Sequence, residues 1–407
     1  MAKAARSRKL SSAATQRVIG RLMRFAIETP SWGFANTGTR FGKFLQDAAA
    51  VDLEDKLTDA GITHAYTGIA PTVAVHVLWD FPEGFDPGVV RLARKHGVKI
   101  GAINPNVFQD QCYKHGSITN HDAKIRKRAL DHIIDSVEIG RKTRSRYLSL
   151  WFADGANYPG QADIRQRKQW ATAALKKVHD AMPTSMTMLI EYKPYEPATY
   201  FMDFFDWGSS YVYAKAAGGR AKVLVDTGHH LPGCNIEQIV AWLIDEKMLG
   251  GFHFNDRKYA DDDLTVGSID PYQACRIFNE IVGYEWETGQ DLDIAYMIDQ
   301  SHNIKPKVEA MIQTTVMVQE LFAKALCVDR KALAAARKNE DTVGAEEVLR
   351  GAFFSDVSPI LRQVRKKMGV PADPLAAFRA SGYERKAARS RRAKRKALGQ
   401  DEGGSFA

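Results

Sequence analysis

Seven side chains carrying oxygen or nitrogen donors fall between residues 191 and 299 of this 407-residue chain: Glu191, Asp226, His229, His253, Asp261, Asp263 and Asp299. Each closes or closely follows an apolar, strand-like run. Lys193 lies two residues beyond Glu191, and alternation along a strand turns the carboxylate and the ammonium to one side while Tyr192 faces away. Carboxylates with imidazoles and no thiolate suit Mn²⁺, Mg²⁺ or Co²⁺ better than structural zinc. Two such ions could clamp neighbouring hydroxyls of a polyol.

Each motif taken singly has a plainer reading. Glu191 and Lys193 could form an ion pair on the lip of a sheet. Asp226-Thr-Gly-His229 suits a donor pair visiting two adjacent ions, and equally an N-cap followed by a capped histidine. His253, set between apolar residues, has the surroundings of a satisfied core histidine. Asp261-Asp262-Asp263 is either a cation site or a solvated loop, since adjacent acids repel unless a cation or water absorbs the charge. Asp299 ends the last apolar strand, where a carboxylate is costly to bury without a partner. Their common placement at strand ends is what gives them weight together.

The elements that must position them alternate between β-rich runs and amphipathic helical stretches. Strands are expected at Trp32–Phe34, Thr72–Trp79, Val98–Asn104, Tyr147–Phe152, Met186–Lys193, Lys222–Asp226, Gly251–Asn255 and Ala295–Asp299. Helices are expected over Ala123–Gly140, where Ile125, Ala129, Leu130, Ile133, Ile134 and Val137 form one stripe, and over residues 161–182, 235–248 and 304–327. Such alternation predicts a parallel α/β architecture. Reactive residues closing nearly every strand of the second half favour a (β/α)8 TIM barrel over an open sheet, which would gather them at one or two switch points. The expected organisation is a basic N-terminal segment and helix (1–29), a catalytic barrel (30–328), a helical extension (329–383) and a basic, disordered tail (384–407).

Composition narrows the function classes. Of the formal charge of +9, residues 1–24 hold seven Lys/Arg and no acid and residues 385–396 hold eight and no acid, so the remainder is net −6. An acidic body speaks against a nucleic-acid partner, and the tails lack the aromatic residues that interleave an RNA-binding segment. The acid-free start also resembles an organelle transit peptide. Arg21 and Arg24 break any signal-peptide core, and no apolar run nears the length of a membrane helix. Cys112, Cys234, Cys275 and Cys327 lie far apart, which fits a reducing cytoplasm and no membrane or secreted context.

On these residues the chain resembles the xylose isomerase-like barrels. Glu191, Lys193, Asp226, His229, His253, Asp261, Asp263 and Asp299 match their metal-binding set in type and spacing. The strings His-Phe-Asn-Asp-x-Lys-Tyr-x-Asp-Asp-Asp (His253 to Asp263) and Met-Ile-Asp-Gln-Ser-His-Asn (Met297 to Asn303) are similar to the broad-specificity bacterial L-rhamnose isomerase branch. The likeness runs from Pro30-Ser-Trp-Gly to Phe378-Arg-Ala-Ser-Gly-Tyr383. It implies a metal-dependent aldose–ketose isomerase acting on L-rhamnose and other aldoses, with two divalent ions, Mn²⁺ first among them. One ion would be held by Glu191, Asp226, His253 and Asp299. The second would be held by His229, Asp261 and Asp263, with Asp226 bridging. Lys193, Asp299 and His229 would take part in the chemistry, while His76, Trp79, Phe108 and Trp151 would shape the sugar pocket. Phe41 would cap the pocket of a neighbouring subunit in a homotetramer. Tyr192 stands where that branch has His. Two other enzyme readings remain on the same barrel: a ketose 3-epimerase, which needs two carboxylates flanking one ion, and a metal-dependent endonuclease.

Overall fold

The computed structural model describes residues 11–36, 44–196, 200–258 and 263–399. Eight strands lie side by side in chain order: β1 (Thr29–Pro30), β2 (Thr72–His76), β3 (Lys99–Asn104), β4 (Tyr147–Leu150), β5 (Thr187–Glu191), β6 (Ala221–Asp226), β7 (Leu249–Phe254) and β8 (Ala295–Ile298). All neighbours pair in parallel. The ring closes just before β1, where the Glu28 N–H donates to the Tyr296 carbonyl at 2.8 Å and the Ile298 N–H donates to the Glu28 carbonyl at 2.9 Å. This is a (β/α)8 barrel.

Helices Leu53–Thr67, Val89–Lys95, Ala123–Thr143, Ile164–Ala181, Trp207–Ala217, Ile236–Asp245 and Pro271–Thr288 return the chain from one strand to the next, and Lys307–Leu326 follows the last strand. Asp52, Asp122, Asp163, Asp206, Asn235 and Asp270 each accept a backbone N–H at a helix start. These caps fix where the helices begin, and each is worth about 1 kcal/mol. Strand parity then divides the core. Val223, Val225, Phe252 and Phe254 face the helices, whereas Trp32, Ala74, Ala102, Leu189, Leu224, Ala295 and Met297 fill the barrel interior. Two residues beyond several of these interior positions come His76, Asn104, Glu191, Asp226 and Asp299, all on the same rim.

Two expectations are corrected. Trp32–Phe34 is not a strand. The first strand is Thr29–Pro30, and Ser31–Phe34 forms a 3₁₀ turn over its end. The apolar letters Trp, Gly and Phe mimic a buried strand, yet a side chain at Gly33 would lie 2.8 Å from Met311 Cε and 2.9 Å from the Gln300 carbonyl, so the backbone must pass close there. Nor is the basic run from residue 384 a disordered tail throughout. Tyr383–Ala397 is a helix whose Ala387, Arg391 and Arg395 recur every fourth residue on a buried face. Arg391 makes two bonds of 2.8 Å to the Asp59 carboxylate, Tyr383 O–H donates to the same group at 2.6 Å, and Arg395 donates to the carbonyls of Asp47 (2.6 Å) and Ala49 (3.2 Å). Composition treats such cations as solvated because the acid that meets them lies more than 300 residues away. At the other end, helix Ser12–Arg24 buries Val18, Ile19 and Leu22, and its Arg21 clamps Glu285 at 2.9 and 2.7 Å. Among the described residues no single helix is long and apolar enough to cross a membrane, and the four cysteines are free thiols.

Candidate active site

The C-terminal rim of the barrel opens into a cavity of about 450 Å³ lined by Trp32, His76, Trp79, Phe108, Trp151, Glu191, Lys193, His229, His253, Asp263 and Asp299, with Ser149, Glu196, Gln109 and Tyr200 among the polar groups between them. Glu191 and Asp226 are the last residues of β5 and β6, and Asp299 follows β8 directly. His253 pairs in register with Asp226 on one side and Met297 on the other. Four neighbouring strand ends thus deliver Glu191, Asp226, His253 and Asp299, each offering one ligand atom within 4.8 Å of all the others.

Those atoms fit a single cation. Ligands on opposite sides of an ion of the Mg²⁺ type are separated by about twice 2.1 Å, so a closure of a few tenths of an ångström would complete the sphere. His253 Nδ1 lies 3.1 Å from Glu191 Oε2 and 3.9 Å from Asp299 Oδ2. Yet both His253 Nδ1 and Glu191 Oε1 are buried without a well-aligned hydrogen bond among the described residues. A cation that took the place of the proton between these groups would satisfy both.

The electrostatics agree. Glu191 is disfavoured as an anion by burial, but the imidazoles of His253 and His229 outweigh this and hold its carboxyl below the usual range. Burial, with the charges of Glu191 and Asp299, pushes Asp226 up to about 7 despite the nearby histidines. Asp299 is raised by burial and by Glu191. Burial opposes the charge on His253, and Glu191, Asp299 and Asp226 more than reverse it, raising the imidazole to about 9. The cluster therefore holds protons that a divalent ion would displace.

His229 sits beside this centre. Its Nδ1 donates to the Tyr192 carbonyl at 3.1 Å and lies 3.2 Å from Glu191 Oε1, which leaves the lone pair of the neutral ring on Nε2. Asp263 lines the cavity in a left-handed conformation, φ 47°, one that Asp tolerates better than most residues. Asp261 and Phe41 lie outside the described residues. Lys193, almost fully buried, donates to Glu196 Oε2 at 2.7 Å and stands 5.4 Å from the Trp151 ring centre. Aromatic side chains continue the wall: Trp32 to His76 at 4.6 Å, His76 to Trp79 at 4.2 Å, Trp79 to Phe108 at 5.9 Å and Phe108 to Trp151 at 5.0 Å. Such faces suit the C–H surfaces of a carbohydrate. Burial, aided by Lys56, lowers His76 to about 3, so it is a neutral imidazole.

Three contributors were not assigned a role from sequence. Trp32 donates its indole N–H to Asp299 Oδ1 at 2.8 Å. Glu196 follows Lys193 by three residues but reaches it only through the short hairpin of Tyr195–Glu196 and Tyr200–Phe201. Asn255, within the string that carries the resemblance, donates to both oxygens of Asp226. Tyr192, expected to face away, buries its side chain behind the site and pairs its hydroxyl with His230 Nε2 at 2.7 Å.

No family model matches the chain. A probable sugar isomerase of Mesorhizobium japonicum is 41% identical over 374 residues, covering 90% of this chain and 86% of the relative. A second, from Rhizobium meliloti, is 39% identical over 380 residues, covering 92% and 88%. A xylose isomerase of Thermus thermophilus shares 24% over 183 residues, 42% of this chain and 46% of that protein. Among solved structures the fold resembles an L-ribulose 3-epimerase (TM-score 0.53, 14% identity, covering 78% of this chain and 98% of that one). It also resembles a D-allulose 3-epimerase from Methylomonas (TM-score 0.54, 12% identity, covering 73% and 98%). On the first two matches, the chain belongs to the family of the rhizobial probable sugar isomerases.

Proposed function

We propose that the chain is a divalent-metal-dependent isomerase that interconverts an aldose and its ketose, with L-rhamnose and L-rhamnulose as the principal pair and other aldoses as slower substrates. The observation that carries this reading is the convergence of Glu191, Asp226, His253 and Asp299 on one centre, beside Lys193 and beneath an aromatic wall. The two rhizobial relatives, each named a probable sugar isomerase, support it. In this reading the four residues hold one ion. His229, Asp261 and Asp263 would hold the second together with Asp226, with Mn²⁺ the preferred metal.

Bound divalent ions would supply Lewis-acid polarisation of adjacent sugar oxygens. The protein's own groups do the rest. Lys193 directs an ammonium N–H at the carbonyl oxygen and stabilises the negative charge that develops there, in a site shielded from water where such a donor counts most. Glu196 keeps that ammonium in place. Trp79, Phe108, Trp151 and His76 pack against the sugar chain and exclude water, and Asp299 and His229 line the space where hydrogen moves between C1 and C2. Incorporation of solvent deuterium at that carbon would separate an enediol route from a hydride shift. In the same reading the enzyme works in the cytoplasm as a homotetramer, with Phe41 of a neighbouring copy closing the pocket.

The test is a panel of aldoses scored for ketose formation before and after EDTA and after re-addition of Mn²⁺. EDTA abolishes turnover and Mn²⁺ restores it; a fully active metal-free preparation overturns the reading. A second reading, a ketose 3-epimerase, which needs two carboxylates flanking one ion, draws support from Glu191 and Asp299, each of which brings a ligand atom to the four-residue centre within 4.8 Å of the others. A ketohexose converted to its C3 epimer, with no aldose formed, would favour it.

A further inference from the structure

Behind the Asp226 carboxylate the loop after β7 grips the loop after β6. Asn255 Nδ2 lies 3.0 Å from Asp226 Oδ1 and 3.1 Å from Oδ2, and the Gly228 N–H adds a third donor to Oδ1 at 2.7 Å. Asn255 is itself held, since its backbone N–H donates to Thr227 Oγ1 at 3.0 Å and its carbonyl accepts from that hydroxyl at 2.8 Å. Room for the amide is built in, because a Cβ at residue 228 would lie only 2.4 Å from Asn255 Oδ1. Arg257, two residues on, donates to the carbonyls of Thr227 (3.0 Å) and His230 (2.9 Å) and ties down the turn that carries His229. Asp226 is fully buried and Asn255 nearly so, so no solvent competes for these bonds.

We propose that Asn255 is a positioning residue for the metal centre: by donating to both oxygens of Asp226 it fixes the carboxylate plane and leaves the remaining acceptor site aimed at the centre shared with Glu191, His253 and Asp299. The proposal rests on the metal-dependent reading above and adds to it the group that orients the shared ligand. Without the amide, only the Gly228 N–H still holds Oδ1, and the carboxylate plane is free to rotate about that bond. Outer partners of this kind are conserved nearly as well as ligands in metalloproteins, and losing one lowers metal affinity by about 10- to 100-fold.

The experiment is a titration of EDTA-stripped, full-length protein with Mn²⁺, free ion being counted from its electron paramagnetic resonance signal, alongside thermal unfolding in EDTA. Asn255→Ala binds Mn²⁺ about 10- to 100-fold more weakly than wild type. Thr227→Val, which removes the hydroxyl from the clasp but leaves the amide on Asp226, melts earlier and keeps the affinity. Should Asn255→Ala not fold by circular dichroism, Asn255→Ser serves as the measured variant, with the same weakening expected. Wild-type protein that binds no Mn²⁺ overturns the metal reading and this proposal with it. Wild type that binds, beside a folded Asn255 variant of equal affinity, overturns this proposal alone.

Discussion

Arg391→Met isolates the ion pair that seats the C-terminal helix. The guanidinium makes two bonds of 2.8 Å to Asp59 and one of 3.2 Å to the Asp55 carbonyl, and both charged groups are nearly inaccessible to solvent. Methionine keeps much of the aliphatic packing and removes the charge. Truncating one partner of a buried pair costs about 3–5 kcal/mol, because the other charge stays behind. The upper end is limited by an escape: Asp59 can take up a proton, which at pH 7 costs about 4 kcal/mol for a carboxyl of ordinary pKa near 3.9. The helix should therefore detach about 3–4 kcal/mol more easily, and at about 1.4 kcal/mol per decade its open population rises by about 10²- to 10³-fold. Trypsin reads this directly, since Tyr383–Ala397 carries eight Lys/Arg and cleavage tracks the open population when reclosing is fast. Cleavage between residues 385 and 396 should accelerate by that factor while the barrel stays intact. Arg392→Met, on the exposed side of the same helix and paired with Asp47, is the control; an exposed pair is worth about 0–1 kcal/mol, so its acceleration stays below about fivefold. Equal cleavage of the two variants would refute the assignment of Arg391 as the anchor.

Three other outcomes are expected. Mn²⁺ must displace protons from Asp226 and His253, held at about 7 and about 9, so affinity rises between about pH 6 and about pH 10 and binding releases protons; calorimetry in buffers of different ionisation enthalpy that detects no proton release would refute this. Lys193→Met lowers kcat about 10²- to 10³-fold with a smaller change in KM and unaltered Mn²⁺ binding, and a variant with wild-type kcat excludes the electrophilic role. Trp32→Phe keeps the ring against His76 but removes the N–H bound to Asp299, so Mn²⁺ binding weakens by about tenfold, measured by the same resonance titration; unchanged affinity would make that bond incidental.

The barrel was legible because strand parity is written into the sequence. Leu189 and Glu191, Leu224 and Asp226, and Met297 and Asp299 are each two residues apart, so an apolar interior residue and the polar residue above it follow from alternation alone. The four-residue centre was readable for the same reason. Trp32 was hidden by its neighbours, because a three-letter apolar run cannot be told from a strand until Gly33 is seen to pass under Met311. Asn255 stood in plain view within the string His-Phe-Asn-Asp, but amide-to-carboxylate bonds across two loops leave no period or charge pattern to read. The seating of the basic helix was invisible for a different reason: Arg391 and Asp59 are 332 residues apart, and the run of cations around Arg391 looks the same whether one of its faces is buried or none is.

That separation matters during synthesis. Ribosomes add about 5–20 residues per second, so Asp59 emerges some tens of seconds before Arg391 exists. Throughout that interval the segment 47–59 lacks the helix that later covers it, and Asp59 must remain hydrated or protonated. The loop leading into this segment also meets the strand-end region that carries Asp299, through the bond from Gln46 Nε2 to the His302 carbonyl. Barrel closure can be complete on the nascent chain, but the flank of the site mouth reaches its final packing only once Tyr383–Ala397 has emerged, and a chain cut before that helix would carry every catalytic candidate and still lack that support.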